Sequence, residues 1–148
     1  MAIEFILSYK GIPVIRLTEN VIQSVDFSAV KYDGYHQQTK NIIMRLKFEN
    51  ANVLFREPLA DTGISEDGDA MPDEIDSVRN MFSFAVSAVQ MATIFGLPFL
   101  DGVINMTNEF GEIASFSYEN LFVISYTEEY TKDTRNTFID IHLRERAR

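Results

Sequence analysis

The sequence predicts a mainly β fold with one α-helix: an antiparallel β-barrel or sandwich with a flanking helix, in one domain spanning residues 1–148. Three observations predict it. Several short segments alternate apolar and polar residues with a period of two, the signature of half-buried strands. One later segment carries apolar residues at intervals of three and four, the signature of a helix. Strand-like segments lie on both sides of that helix with short turns between them, in meander order, and no internal repeat or interdomain linker interrupts the chain.

Taken in order, residues 3–9 and 13–18 are apolar runs split by the turn Lys10-Gly11. Residues 21–31 place Val21, Val25, Phe27 and Ala29 on one face and Ser24, Asp26 and Ser28 on the other. A polar loop is expected over 32–40. Residues 42–49 give the cleanest alternation, with Ile42, Met44, Leu46 and Phe48 inward against Ile43, Arg45, Lys47 and Glu49. A loop insertion at 57–73 follows, carrying Pro58, Gly63, Gly68 and Pro72.

The helix is expected over about residues 74–95, capped by Asp73, with Glu74 and Asp76 in the first turn where the helix dipole favours negative charge. Its apolar residues form two stripes. Ile75, Val78, Phe82, Ala85, Val89 and Ala92 make one, and Met81, Phe84, Ala88, Met91 and Phe95 the other. Two stripes imply a helix covered on both sides, within a thick core or by another subunit. Beyond Gly96, residues 103–109 and 112–118 flank the turn Phe110-Gly111 as a hairpin. Residues 121–126 are nearly all apolar, and 137–143 alternate with Ile139, Ile141 and Leu143 on one face against Phe138, Asp140 and His142.

Composition excludes several functions. With 46% hydrophobic and 24% charged residues the chain is globular rather than disordered. Cys is 0, which removes disulfides, thiol catalysis and cysteine-bound metals, and 2 His leave no room for a multi-histidine site. The net charge of −9 is concentrated: eight acids (Glu57, Asp61, Glu66, Asp67, Asp69, Asp73, Glu74, Asp76) occur between Glu57 and Asp76 with no Lys or Arg among them. Without them, 14 of the 22 acids remain against 13 basic residues, close to neutrality. Arg144, Arg146 and Arg148, broken by Glu145, are the one basic concentration, and a duplex-DNA binder needs a larger cationic face.

The N-terminus lacks a basic region, a long apolar core and a small-residue cleavage site, so synthesis in the cytoplasm without a signal peptide is expected. Residues 81–100 carry no charge over a bilayer-spanning length. Ser83, Ser87 and Gln90 on one stripe, the breakers Gly96 and Pro98, and the absence of a basic flank favour a buried helix and no membrane insertion. The Asp-rich run 66–69 lacks EF-hand ligand spacing, so no metal is expected.

Phosphate-binding glycine loops, nucleophile elbows and zinc-helix motifs are all missing from the sequence. His36 and His142 are candidate bases without a partnered nucleophile. Glu128 and Glu129, adjacent in an extended segment, point to opposite faces and do not form a carboxylate pair. No catalytic residue and no cofactor is expected. The pattern is that of a protein that assembles.

Residues 101–145 resemble the C-terminal half of the tube proteins of contractile injection machines, which include phage tail tubes, extracellular injection-system tubes and the haemolysin-coregulated (Hcp-like) tube of type VI secretion. The features that carry this resemblance are ordered. They are the helix segment Met81-Phe82-Ser83-Phe84-Ala85-Val86, the Thr107-Asn108-Glu109-Phe110-Gly111 turn of the hairpin 104–112, the strand Phe116-Ser117-Tyr118-Glu119-Asn120-Leu121-Phe122-Val123 and a chain-ending strand over 137–145. Residues 21–31 and 42–49 match the family's early strands, so the resemblance covers most of the chain.

The resemblance implies a non-enzymatic structural subunit that forms homo-hexameric rings, stacked into a conduit for DNA or effector proteins passing without sequence-specific binding. Sheath and baseplate proteins are the implied partners, and an assembled tail or injection particle the implied location. The acidic insertion and the helix reaching Phe95 exceed a minimal tube subunit. They imply a tube initiator or terminator, or extra contacts between rings. The expected subunit-interface residues are Met81, Phe84, Met91, Phe95, Ile104, Met106 and Ile113. The acidic-loop residues Glu66, Asp67 and Asp69 are expected at a ring-to-ring contact or on the sheath-facing exterior. The alternative is a small oligomeric binding or chaperone module that holds clients with its Phe- and Met-rich helix.

Overall fold

Among the described residues, seven strands and one helix follow one another in the order β1 (Ala2–Tyr9), β2 (Ile12–Thr18), β3 (Ile22–Lys31), β4 (Gln38–Phe48), α1 (Glu74–Gln90), β5 (Leu100–Thr107), β6 (Ile113–Tyr130) and β7 (Thr137–Glu145). The structure, a computed structural model, describes residues 2–31, 38–48, 71–90, 99–130 and 136–146. All described strands pair antiparallel in one sheet ordered β2-β1-β5-β6-β7-β4-β3. The fold is therefore mainly β with a single helix, as the alternation predicts. It is not a meander: β1 pairs with β5 and β4 with β7, so distant parts of the sequence meet at the sheet centre.

Local chemistry explains the turns. Lys10 and Gly11 both have positive φ (50° and 82°), the two-residue type I′ geometry whose twist matches the flanking strands. Between β5 and β6, the Asn108 side-chain oxygen accepts the N–H groups of Phe110 (2.9 Å) and Glu112 (3.0 Å), while Gly111 takes φ 81°. That asparagine turn is what the short polar run around Gly111 encodes.

The 18-residue β6 merges two segments that the sequence separates, 112–118 and 121–126. Its hinge is Asn120, at φ 52°, a conformation that asparagine tolerates better than most residues. Before the hinge β6 pairs with β5, and from Leu121 onward it pairs with β7. Two half-sheets thus share one bent strand. β4 begins at Gln38, inside the segment expected to be loop, because its ladder with β3 continues to Lys31↔Gln38. In β3 a bulge between Ile22 and Ser24 resets the phase, so Ile22 and Val25 face the core although they are three positions apart.

The core gathers Phe5 and Leu7 from β1, Ile15 and Leu17 from β2, Ile42, Met44 and Leu46 from β4, Ile104 from β5, Leu121 from β6, and Ile139, Ile141 and Leu143 from β7. Gly102 is buried where a Cβ would lie 2.7 Å from Leu121 Cδ1 and 3.2 Å from Leu7 Cδ2, so any larger residue would make the Leu121 side chain shift. Val78, Met81, Phe84 and Ala85 complete the core from α1. Members of both predicted helix stripes are thus covered by the chain's own sheet. No described helix is long and apolar enough to cross a membrane.

Candidate functional site

The sheet has unequal edges, and the difference begins in single residues. On β2, the outward backbone groups are those of Val14, Arg16 and Thr18. The Arg16 N–H donates to Ser77 Oγ at 2.8 Å, and Asn80 Nδ2 donates to the Val14 carbonyl at 2.8 Å. The Thr18 carbonyl accepts the N–H of Val21 at 3.0 Å, and Pro13 has no N–H to offer. Ser77 and Asn80 are both buried, so the helix stands where an eighth strand would pair.

Elsewhere the edges have no such cover among the described residues. β3 pairs with β4 on one side, and no strand pairs with its other side among the described residues. The first half of β6, Ile113 to Tyr118, pairs with β5 alone, because the β7 ladder begins at Leu121↔Glu145. Beyond that point the Arg146 N–H donates to the Asn120 carbonyl (3.0 Å) and the Glu119 N–H to the Glu145 carboxylate (2.8 Å), which closes the ladder at the hinge. The β5–β6 hairpin carries three exposed apolar side chains, Phe110 at 85%, Ile113 at 67% and Phe116 at 46%. Phe116 meets Phe27 of β3 with ring centroids 5.9 Å apart, so both open edges border one partly exposed aromatic contact.

The outer faces of the two half-sheets are polar in different ways. Across β2, β1, β5 and β6 runs a row in which Arg16 Nε donates to Glu4 (2.7 Å), Asn105 Nδ2 donates to Glu4 (3.3 Å), and Ser115 Oγ donates to Asn105 Oδ1 (2.6 Å). This row floors a groove of about 670 Å³ walled by Glu19 and Asn20 on one side and Ile113 on the other. Across β4, β7 and β6, Arg45 pairs with Asp140 (3.3 Å) and Glu129 (3.1 Å) and lies 4.3 Å from the Phe138 ring centroid. One register step along, His142 Nε2 lies 3.0 Å from Asn41 Oδ1, which also accepts Arg144 Nε at 2.9 Å. Burial, and then the adjacent Arg144 cation, lower the His142 pKa below the usual histidine value.

The expected site residues divide. Met81, Phe84 and Ile104 are at most 2% exposed inside the chain's own core, which removes them from the surface and corrects their assignment to a subunit interface. The physical reason is that Met81 and Phe84 pack with Val78 and Ala85 into the core beneath α1, and Ile104 packs into the same core from β5. Met106 is half-buried against the same core, and Ile113 is exposed on the hairpin. Met91, Phe95, Glu66, Asp67 and Asp69 lie outside the described residues, as does His36. Sequence reasoning missed Ser77 and Asn80, whose signal is two polar residues on the helix face that also carries Val78 and Met81. It also missed the contact between Phe27 and Phe116, because nothing local in the sequence brings their two strands together. Among the described residues no group of three or more His, Asp or Glu could hold a metal ion.

No known protein-family model matches the chain, and no curated protein matches it.

Proposed function

We propose that this chain is a structural, non-enzymatic subunit of the inner tube of a contractile injection system or phage tail. It assembles as stacked hexameric rings around a conduit for DNA or effectors, within a particle that also holds sheath and baseplate proteins. The observation that carries this reading is the inequality of the sheet edges. α1 closes β2, whereas β3 and the first half of β6 keep outward backbone groups without a strand partner among the described residues. Unlike edges that pair between copies give a heterologous, head-to-tail contact, and such a contact closes into a ring when the rotation permits. Pairing would also cover Phe116 and Ile113.

The alternative, a chaperone that holds clients on its apolar helix, has less support. Val78, Met81, Phe84 and Ala85 are occupied by the chain's own core. Negative-stain electron microscopy with light scattering tests the proposal. Rings or stacked tubes with a central hole are expected, and a homogeneous monomer or dimer at high concentration overturns it.

A further inference from the structure

Pairing of the open edges leaves one polar concavity without a role: the groove of about 670 Å³ on the outer face of β2, β1, β5 and β6. Four strands hold its floor in a single hydrogen-bonded row. Glu4 takes Arg16 Nε on Oε2 at 2.7 Å and Asn105 Nδ2 on Oε1 at 3.3 Å, while Asn105 Oδ1 takes the Ser115 hydroxyl at 2.6 Å. At the wall, Glu19 accepts the Ile3 N–H at 3.3 Å, and the Thr18 hydroxyl oxygen accepts the Asn20 N–H at 3.4 Å. The side chains of the row are thus held by one another before a ligand arrives, which lowers the entropy lost on binding.

The row leaves both kinds of hydrogen-bonding capacity unused. Among the described residues, Arg16 Nη1, the second Asn105 N–H, the Asn20 amide and the Thr107 hydroxyl have no protein partner. Ser115 Oγ keeps its lone pairs, and Glu19 keeps one carboxylate oxygen. Ile113, 67% exposed, adds an apolar wall.

Charge and chemistry together select a ligand class. Arg16 neutralises Glu4, and Glu19 is the remaining charge of the lining, so a phosphate or carboxylate is repelled. No group of acids among the described residues could hold a metal ion. No aromatic ring lines the groove, so a flat base finds no stacking partner. A lipid chain would leave the polar floor buried and unpaired. A neutral polyhydroxyl chain meets every condition. Its hydroxyls both donate and accept, vicinal pairs bridge an amide or a carboxylate, and ring C–H groups pack on Ile113. The volume suits about two or three sugar rings.

We infer that this groove binds a neutral oligosaccharide, recognised by Arg16, Asn20, Asn105 and Ser115. The site lies within one chain, so the inference does not rest on the ring reading.

Saturation-transfer difference NMR on the full chain tests it, because the method reads binding to a single subunit and to a large assembly alike. The probes are maltotriose, cellotriose and triacetylchitotriose. At least one should receive saturation on its ring protons, with a dissociation constant of about 1 mM or tighter. Asn105→Ala and Asn20→Ala, each verified as folded by circular dichroism, should raise that constant about tenfold. Absence of transfer to all three probes overturns the inference. Transfer that survives both substitutions overturns it as well, because the sugar then sits elsewhere. Tighter binding of trigalacturonate than of any neutral probe overturns it through the charge argument. Each of these outcomes leaves the ring reading to electron microscopy, and a monomeric wild type that binds the neutral probe overturns that reading alone.

Discussion

The β2 edge and the first half of β6 have similar backbone needs and meet them differently. At β2 the helix brings one hydroxyl and one amide, Ser77 and Asn80, to the outward groups of Arg16 and Val14, and the edge is buried. At β6 the corresponding groups from Ile113 to Tyr118 face outward beside exposed Phe110, Ile113 and Phe116. A protein that needed only to stay monomeric would blunt both edges with charge, proline or a cover. Among the described residues only the β2 edge is blunted by the helix, and the lesson is that a half-strand in the middle of the sheet order can be left as open as a true edge.

That contrast breaks most severely at the helix. Phe84 is 2% exposed beneath α1, so Phe84→Ala should lower the unfolding free energy by about 3–5 kcal/mol. Urea unfolding measures the loss, and a change below about 1 kcal/mol would show that the helix does not hold the β2 edge closed. Asn80→Ala should cost less, about 1–3 kcal/mol, because it leaves the buried Val14 carbonyl without its donor. Ser77→Ala provides a local readout. Exchange of the Arg16 amide hydrogen should accelerate relative to Leu17, and unchanged exchange would mean that the edge is closed by something other than this hydroxyl.

Much of the fold is legible in the sequence, and the limits are physical. Ile42, Met44, Leu46, Ile139, Ile141 and Leu143 alternate without interruption, and all six are buried as that alternation requires. Where the period is broken, inference from pattern fails. The β3 bulge shifts its phase at Ser24, and Asn120 bends a strand that local chemistry divides in two. Strand order is illegible because β1–β5 and β4–β7 pairing depends on closing the whole core, which no local pattern encodes. The candidate surface is hardest of all. Phe116 and Ile104 are register partners on neighbouring strands, yet Ile104 is fully buried and Phe116 is 46% exposed, because β6 has no β7 partner before Leu121.

The open first half of β6 should respond in the opposite way. Ile113 is 67% exposed, so Ile113→Lys should change folding stability by no more than about 0.5 kcal/mol. It nevertheless places a charge on the open edge, a common way in which proteins block strand pairing. Thermal unfolding should therefore match wild type while light scattering reports a smaller assembly. A large loss of stability would mean that the hairpin belongs to the core rather than to an association surface.

The smallest expected effect separates the outer faces of the two half-sheets. His142 is held neutral more readily than a free histidine by burial and by Arg144, so its folded pKa lies below its unfolded value near 6.5. The unfolded chain consequently binds this proton more tightly than the folded one. The associated stability is fully present above the unfolded value and is lost as pH falls through the folded one. A His142→Gln variant lacks the proton, so stability should fall less from pH 7 to pH 5 in the variant than in wild type, with the curves converging in shape above about pH 7. The Glu4–Arg16 row on the other half-sheet contains no histidine, and Asn105→Ala there should leave that pH dependence unchanged. Equal pH slopes in wild type and His142→Gln would show that the ring is not desolvated, and would remove the Asn41–His142–Arg144 cluster as the part of the sheet sensitive to mild acid.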